Sequence, residues 1–139
     1  MSAKNLRNRM GDAHEAHIQA VFGGRRTRGS GNQWRDQTDV RMDHREEAVA
    51  FAFDGKSTRA RSTTITRADL DKLTEQAAEL RPCLAVRFYE DDRLKLAEDW
   101  YLVAENDLLE LVERSRLLSA VEEFVGVEAM DAFRAKVAS

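Results

Sequence analysis

The sequence predicts a mixed α/β fold, one β-sheet flanked by helices in a single domain. Three observations predict it. Apolar residues recur at helical spacing in residues 11–22, 66–80 and 106–137. Between those segments lie short runs rich in Val, Ala, Phe and Tyr, set off by turn residues. One of the runs, 47–58, is apolar on both of its faces, as a central strand covered on both sides must be. At 139 residues, 42% hydrophobic and 34% charged, the chain is long enough and apolar enough to bury a core.

The elements follow in order. Residues 1–10 are polar and basic and read as a flexible arm. Residues 11–22 form a helix on which Gly11, Glu15, Ile18 and Phe22 share a face, ended by Gly23-Gly24. Residues 25–38 carry four Arg, three side-chain amides and a Gly-Ser-Gly, the composition of a long functional loop. Residues 39–42 are a short strand, 43–46 a turn and 47–58 a second strand. On the latter, Val49, Phe51 and Phe53 face one way; Ala50, Ala52, Asp54 and Lys56 face the other. Residues 66–80 form a helix with Thr66 and Asp69 spaced as a capping box, a buried stripe of Leu70, Leu73, Ala77 and Leu80, and an end marked by Pro82. Strands at 83–89 and 100–103 flank a turn at Asp91-Asp92, and helices at 106–125 and 127–137 close the chain. The expected organisation is an arm over 1–10, a core over 11–104, and C-terminal helices over 105–139 that pack on the core or form a dimer surface.

Several classes are excluded. No apolar run approaches the roughly 20 residues of a membrane span, and the first residues lack the apolar stretch of a secretory signal. The single Cys83 cannot form an internal disulfide, which fits the cytoplasm, and reads as a buried apolar side chain. The zinc-finger, zincin and P-loop patterns are missing. The net charge of −3 conceals an asymmetry. Residues 1–67 hold 13 Lys and Arg against 8 Asp and Glu, a balance of +5; residues 68–139 hold 9 against 17, a balance of −8. A basic half can face phosphates while an acidic half faces solvent or a partner, although uneven surface charge alone also explains it.

The chemistry centres on Asp54 and Lys56. Two residues apart on a strand, their side chains point the same way. A structural ion pair would explain the two by themselves. Asp39 changes that, because it begins the strand that pairs with theirs, bringing two carboxylates to one end of the sheet. Carboxylates about 4–6 Å apart repel, and a hard divalent cation relieves the repulsion. Mg²⁺, for which Mn²⁺ would substitute, takes oxygen ligands and keeps several waters, so one or two carboxylates and a phosphate suffice. Asp39 and Asp54, joined by the Gly55 carbonyl, are the expected ligands. Glu15, an acid on an apolar helix stripe, would complete the set or hold a second ion through water. Lys56 would orient a water and stabilise charge on phosphorus. Arg25, Arg26, Arg28 and Arg35, with Ser30 between two glycines, would cradle a phosphate backbone, joined by Arg59 and Arg61. Trp34 either stacks on a base or anchors packing. His14 and His17 read as surface or phosphate-proximal residues, since their spacing is not that of a zinc helix.

Taken together, a helix with Gly11 and Glu15, a loop with Arg28-Gly29-Ser30-Gly31, Asp39-Val40, and Asp54-Gly55-Lys56-Ser57-Thr58 resemble the PD-(D/E)xK nucleases of restriction-endonuclease-like fold. More narrowly, they resemble the archaeal-type and phage Holliday-junction resolvases over residues 11–85. The resemblance implies a Mg²⁺-dependent homodimeric hydrolase in DNA recombination and repair, cutting four-way DNA junctions by paired nicks. Glu15, Asp39, Asp54 and Lys56 would be its catalytic residues, and a phage origin in a host cytoplasm would follow. Thr38 stands where that motif has Pro, Asp54 where it more often has Glu, and Gly55 where it has an apolar residue. Two other readings use the same residues. One is a different nuclease of this fold acting on branched or duplex DNA in repair, nicking or restriction. The other is a catalytically inactive DNA-binding protein, in which three clustered acids would serve no purpose.

Overall fold

The computed structural model describes residues 2–27, 38–43 and 49–139. It divides into two compact units, Met1–Val103 and Ala104–Ser139. The first is α/β: helix α1 (Ala3–Phe22), strands β1 (Arg25–Arg26), β2 (Val40–Arg41) and β3 (Phe51–Thr58), helix α2 (Arg67–Ala77), and strands β4 (Arg81–Tyr89) and β5 (Ala97–Val103). Its five strands lie in sequence order in one mixed sheet. All neighbours are antiparallel except β3 and β4, which are parallel because α2 carries the chain back between them.

Helix α1 begins at Ala3, so the segment 1–10 is not the arm that its polarity predicts. Ser2 caps it, its Oγ accepting from the Asn5 amide at 3.3 Å. The buried stripe is Leu6, Met10, His14 and Ile18, spaced by four throughout. Two of those residues lie in the predicted arm, where sparse apolar residues still kept helical register. The stripe runs one position away from Glu15, which is half-buried at the helix shoulder. Gly23 ends the helix in the left-handed conformation, at φ 73°.

Strand β3 occupies the centre of the sheet, and helices cover both of its faces, as its apolar composition requires. On the α1 side, Phe51 and Phe53 join Ile18, Val40, Cys83 and Ala85. Phe22 stacks on Phe53 with ring centroids 4.7 Å apart, and Tyr101 meets Phe22 edge-on at 5.3 Å. Burial there pushes the Cys83 thiol up to about 12, which makes it an inert core residue, as its sequence context indicates. On the α2 side, Ala50 and Ala52 pack with Ala77 and Leu80, and Leu84 and Val86 with Leu73.

The sequence places the ends of several elements incorrectly. Residues 44–48, part of the predicted turn and second strand, lie outside the described residues. Helix α2 opens with the capping box: Thr66 Oγ1 accepts from the Asp69 amide at 3.1 Å, and Asp69 accepts from the Thr66 amide at 3.0 Å. It stops at Ala77, three residues before the predicted end, where Ala78 takes a positive φ of 53°. Pro82 then lies inside β4, opposite Ala52, instead of merely following a helix. The buried Arg41 supplies the reason: its guanidinium donates to the Gln76 and Ala77 carbonyls, at 3.1 and 3.2 Å, at the negative end of α2. Strand β5 starts at Ala97, earlier than Trp100, because Asp99 stands opposite Arg87 and pairs with it at 3.3 Å.

The second unit comprises α3 (Glu105–Val125) and α4 (Val127–Ala138), joined at Gly126, whose φ is 90°. Arg134 of α4 pairs with Glu122 of α3 at 2.9 Å, and Met130 is buried. Among the described residues no helix is long and apolar enough to cross a membrane.

Replacing Phe53 by Ala should lower unfolding free energy by about 3–5 kcal/mol, since it removes a ring that lies against Phe22, Phe51 and Tyr101. Replacing Thr66 by Ala should lower it by roughly 1 kcal/mol through the lost cap. Urea denaturation of the two variants checks both the size and the order.

Candidate active site

The site assembles where β2 meets the middle of β3. Asp39, immediately before β2, is locked by its backbone on two sides. Its amide donates to the Phe53 carbonyl at 2.8 Å, and its carbonyl accepts from the Thr27 amide at 2.9 Å. Arg41 adds a third tie by donating to Thr38 Oγ1 at 3.3 Å while gripping the end of α2. The Asp39 carboxylate turns toward β3, where Oδ2 accepts from the Gly55 amide at 2.6 Å. Only 8% of Asp39 is exposed.

Asp54 lies on the α2 face of β3, hydrogen-bonded to Asp39. Burial, and then the neighbouring Asp39 charge, push its carboxyl from 3.8 up to about 7. Asp54 therefore keeps its proton to a much higher pH than a free aspartic acid does. Two acids share a site that resists holding two negative charges.

The structure brings Asp39 and Asp54 together, as the hairpin pairing predicts. It treats the other residues differently. Glu15 approaches closely enough for the Asp39 charge to act on it, and burial raises its pKa, but its carboxylate is taken by Arg26 at 2.7 Å. Arg26 also reaches Asp12 at 3.4 Å. That arginine therefore balances acids of α1 in this structure instead of presenting its charge outward. Lys56 shares a face with Asp54, and its charge favours the Asp54 carboxylate. Its ammonium, however, donates to the Thr64 carbonyl and to Asp69 Oδ2, both at 3.0 Å. Asp69 is in turn held down to about 2, first by the Thr66 amide and then by Lys56. Arg59 pairs with Asp92, while Arg25 and Arg61 are exposed. Arg28, Ser30, Trp34 and Arg35 lie outside the described residues.

His14 overturns the surface reading given to it. It is 1% exposed, and burial lowers its pKa to about 4, so the ring is neutral near pH 7. Its spacing of four from Met10 and Ile18 was the signal that placed it inside. His17 is half-exposed and stands 3.3 Å from Asp99.

The donor set permits a hard cation, within limits. Among the described residues, no three of His, Cys, Asp and Glu stand close enough to hold a metal by themselves. Two carboxylates at one point supply the oxygen ligands that Mg²⁺ uses, with water and a substrate phosphate filling the remainder. The Asp54 proton sits where a cation would relieve the same repulsion. Glu15, neutralised by Arg26, does not join this set.

No protein-family profile, no curated protein and no solved structure matches the chain.

The raised carboxyl of Asp54 has a consequence for stability. Between pH 4 and 7 the folded protein keeps a proton that the unfolded chain has released. The stabilisation from this group is therefore complete below about pH 4 and disappears as pH rises through about 7. Asp54→Asn avoids the loss. In EDTA, the melting temperature of this variant should gain on that of the parent protein by several degrees or more between pH 4 and pH 8. A difference that stays constant with pH would mean that Asp54 ionises as freely when folded as when unfolded.

Proposed function

We propose that the protein is a metal-dependent DNA endonuclease hydrolysing phosphodiester bonds at the Asp39–Asp54 pair. The observation that carries this reading is the convergence of those two carboxyls at the join of β2 and β3, with Asp39 buried and Asp54 half-buried. A purely structural core gains nothing from two acids that oppose each other's charge, whereas a cation site is built that way. Lys56, two residues along the same face, adds the positive group that phosphoryl chemistry needs. The spacing of Asp39, Asp54 and Lys56 is the ground on which the chain resembles the PD-(D/E)xK nucleases. The restriction-endonuclease-like form of the α/β sheet is proposed with it.

Asp39 and Asp54 would hold Mg²⁺ or Mn²⁺, with the Gly55 carbonyl as a further donor. Once bound, the ion would supply Lewis-acid polarisation of the scissile phosphate and a lower pKa for a coordinated water. The remaining work belongs to the chain. Asp39, fixed through its backbone and the Gly55 amide, sets the geometry. Asp54, whose raised pKa leaves it a proton to lose, would release that proton to solvent on serving as a ligand. Lys56 leaves Asp69 by rotation of its flexible stem and donates to the phosphate oxygen on which negative charge grows. Glu15 and Arg26 flank the site as a neutralised pair. The basic segment 25–35, with Arg59 and Arg61, would contact the DNA backbone. The proposed substrate is a four-way junction, cut in paired nicks by a two-fold symmetric homodimer.

A second reading is a DNA-binding protein without catalysis. It draws support from Lys56, which is held by Asp69 and the Thr64 carbonyl, away from the carboxylate pair. Cleavage of labelled four-way junction, flap, duplex and single-stranded DNA, with Mg²⁺ or EDTA, separates the two. Mg²⁺-dependent symmetric nicking of the junction is the expected outcome. Cutting of every substrate would keep the site and discard the junction. Inertness with both Mg²⁺ and Mn²⁺ would leave the binding protein. Asp39→Ala should lower cleavage at least ~10³-fold while junction binding stays within a few-fold of the parent, since the loss falls on transition-state stabilisation. Equal loss of both would assign Asp39 to folding.

A further inference from the structure

His14 and Gly55 meet across the interface between α1 and β3. A Cβ placed on Gly55 would stand 3.1 Å from His14 Nδ1, 3.4 Å from His14 Cε1 and 3.3 Å from Asp39 Oδ2. The contacts with His14 Nδ1 and Asp39 Oδ2 are tighter than ordinary van der Waals contact, and the ring belongs to a fully buried residue. The ring sits in the middle of the buried stripe of α1, with Met10 and Ile18 one turn away on either side. Gly55 interrupts a strand face whose preceding members, Phe51 and Phe53, are large. Ala85, opposite Gly55 on β4, is small and fully buried. The sheet therefore has a shallow place over Gly55 and Ala85, and the flat imidazole lies against it.

Hydrogen bonding at Nε2 does not hold the histidine, since that atom is buried and has no partner among the described residues. Shape does account for it. A branched apolar side chain at 14 would be thicker than a ring, and any side chain at 55 would displace either that ring or the Asp39 carboxylate. The carboxylate is the more consequential of the two, because its 2.6 Å bond to the Gly55 amide is the contact that aims it at Asp54.

We propose that His14 is a positioning residue: packed on the missing side chain of Gly55, it closes the far side of the space in which the Asp39 carboxylate meets the Gly55 amide. The glycine in Asp54-Gly55-Lys56 is thus matched to the histidine one helix away, and neither residue is independent of the other. The consequence for cleavage rests on the endonuclease reading above; the packing relation does not.

The test is a double-variant cycle on the metal-free full chain, comparing the parent with Gly55→Ala, His14→Ala and the two combined. In the parent, the amide proton of residue 55 should resonate well downfield in a ¹H–¹⁵N spectrum, and Asp39→Ala should move it upfield. Gly55→Ala should lower the folding equilibrium constant, from urea denaturation, by about tenfold or more, the usual range for an overpacked core. In the His14→Ala background the same change should cost less than about threefold, because the ring that opposes the new methyl is gone. His14→Ala alone should shift the residue 55 amide upfield, which decides the matter even where Gly55→Ala does not fold. Calorimetric titration with Mg²⁺ should show binding weakened by His14→Ala, with the junction affinity unchanged.

Equal costs of Gly55→Ala in both backgrounds, together with an amide unmoved by His14→Ala, would overturn the proposal. The two readings fail separately. A parent protein that cuts no DNA but shows the coupling loses the endonuclease assignment and keeps the positioning pair. A parent that cuts junctions without the coupling does the reverse.

Discussion

One hydrogen bond, from the Gly55 amide to the Asp39 carboxylate, fixes the part of this molecule that resembles chemical machinery. It is 2.6 Å long and part-buried, and it joins a side chain that precedes β2 to the backbone of the central strand. Strand β2 has only two residues and could not by itself hold a carboxylate in register. The Phe53 carbonyl, the Thr27 amide and the Arg41 guanidinium fix the backbone around Asp39, and the Gly55 amide then fixes its head.

Three neighbouring charged groups have partners of their own. Glu15 has Arg26, Lys56 has Asp69 and a backbone carbonyl, and Arg41 has the carboxyl end of α2. The unfavourable electrostatics fall on Asp54, where burial and the Asp39 charge both oppose ionisation. Folded proteins tolerate such a concentration where it is of use, and local strain of this kind marks a site better than any single residue type does. On the proposed reading, engagement of a phosphate would require Lys56 to exchange an ion pair that is 30% exposed on its own side for a new one, a modest cost for a partly solvated pair.

The two faces of β3 divide the work. The α1 face carries large rings up to Phe53 and then abruptly nothing at Gly55, where His14 fills the space. The α2 face carries small alanines and then Asp54 and Lys56. Alternation along one strand thereby puts packing on one side and charge on the other, at the same height in the sheet. Asp39, arriving from the neighbouring strand, is the group that acts across both, close to the His14 ring on one side and to Asp54 on the other.

Much of this was legible in the sequence. Period-two alternation gave the faces of β3, period-four spacing gave the helices, and the Thr66–Asp69 capping box marked the start of α2, because these signals are local and each residue carries its own share. The convergence of Asp39 and Asp54 was also legible, since hairpin pairing turns two positions in a chain into neighbours in space. Other features were not. The first ten residues read as an arm because their apolar members are few, although Leu6 and Met10 kept the helical register. The end of α2 was misplaced because it is set by Arg41, some 35 positions earlier in the chain. His14 and Gly55 could not be paired from sequence, as nothing in a string of letters tells which helix position lies over which strand position. The partners of Glu15 and Lys56 were hidden for the same reason. Sequence by itself determined where most of the helices and strands lie and how the faces of β3 alternate, because periodicity is a property of adjacent positions. Only the tertiary structure decided which charges are neutralised and which are left in conflict, because that depends on contacts between segments that the chain keeps far apart.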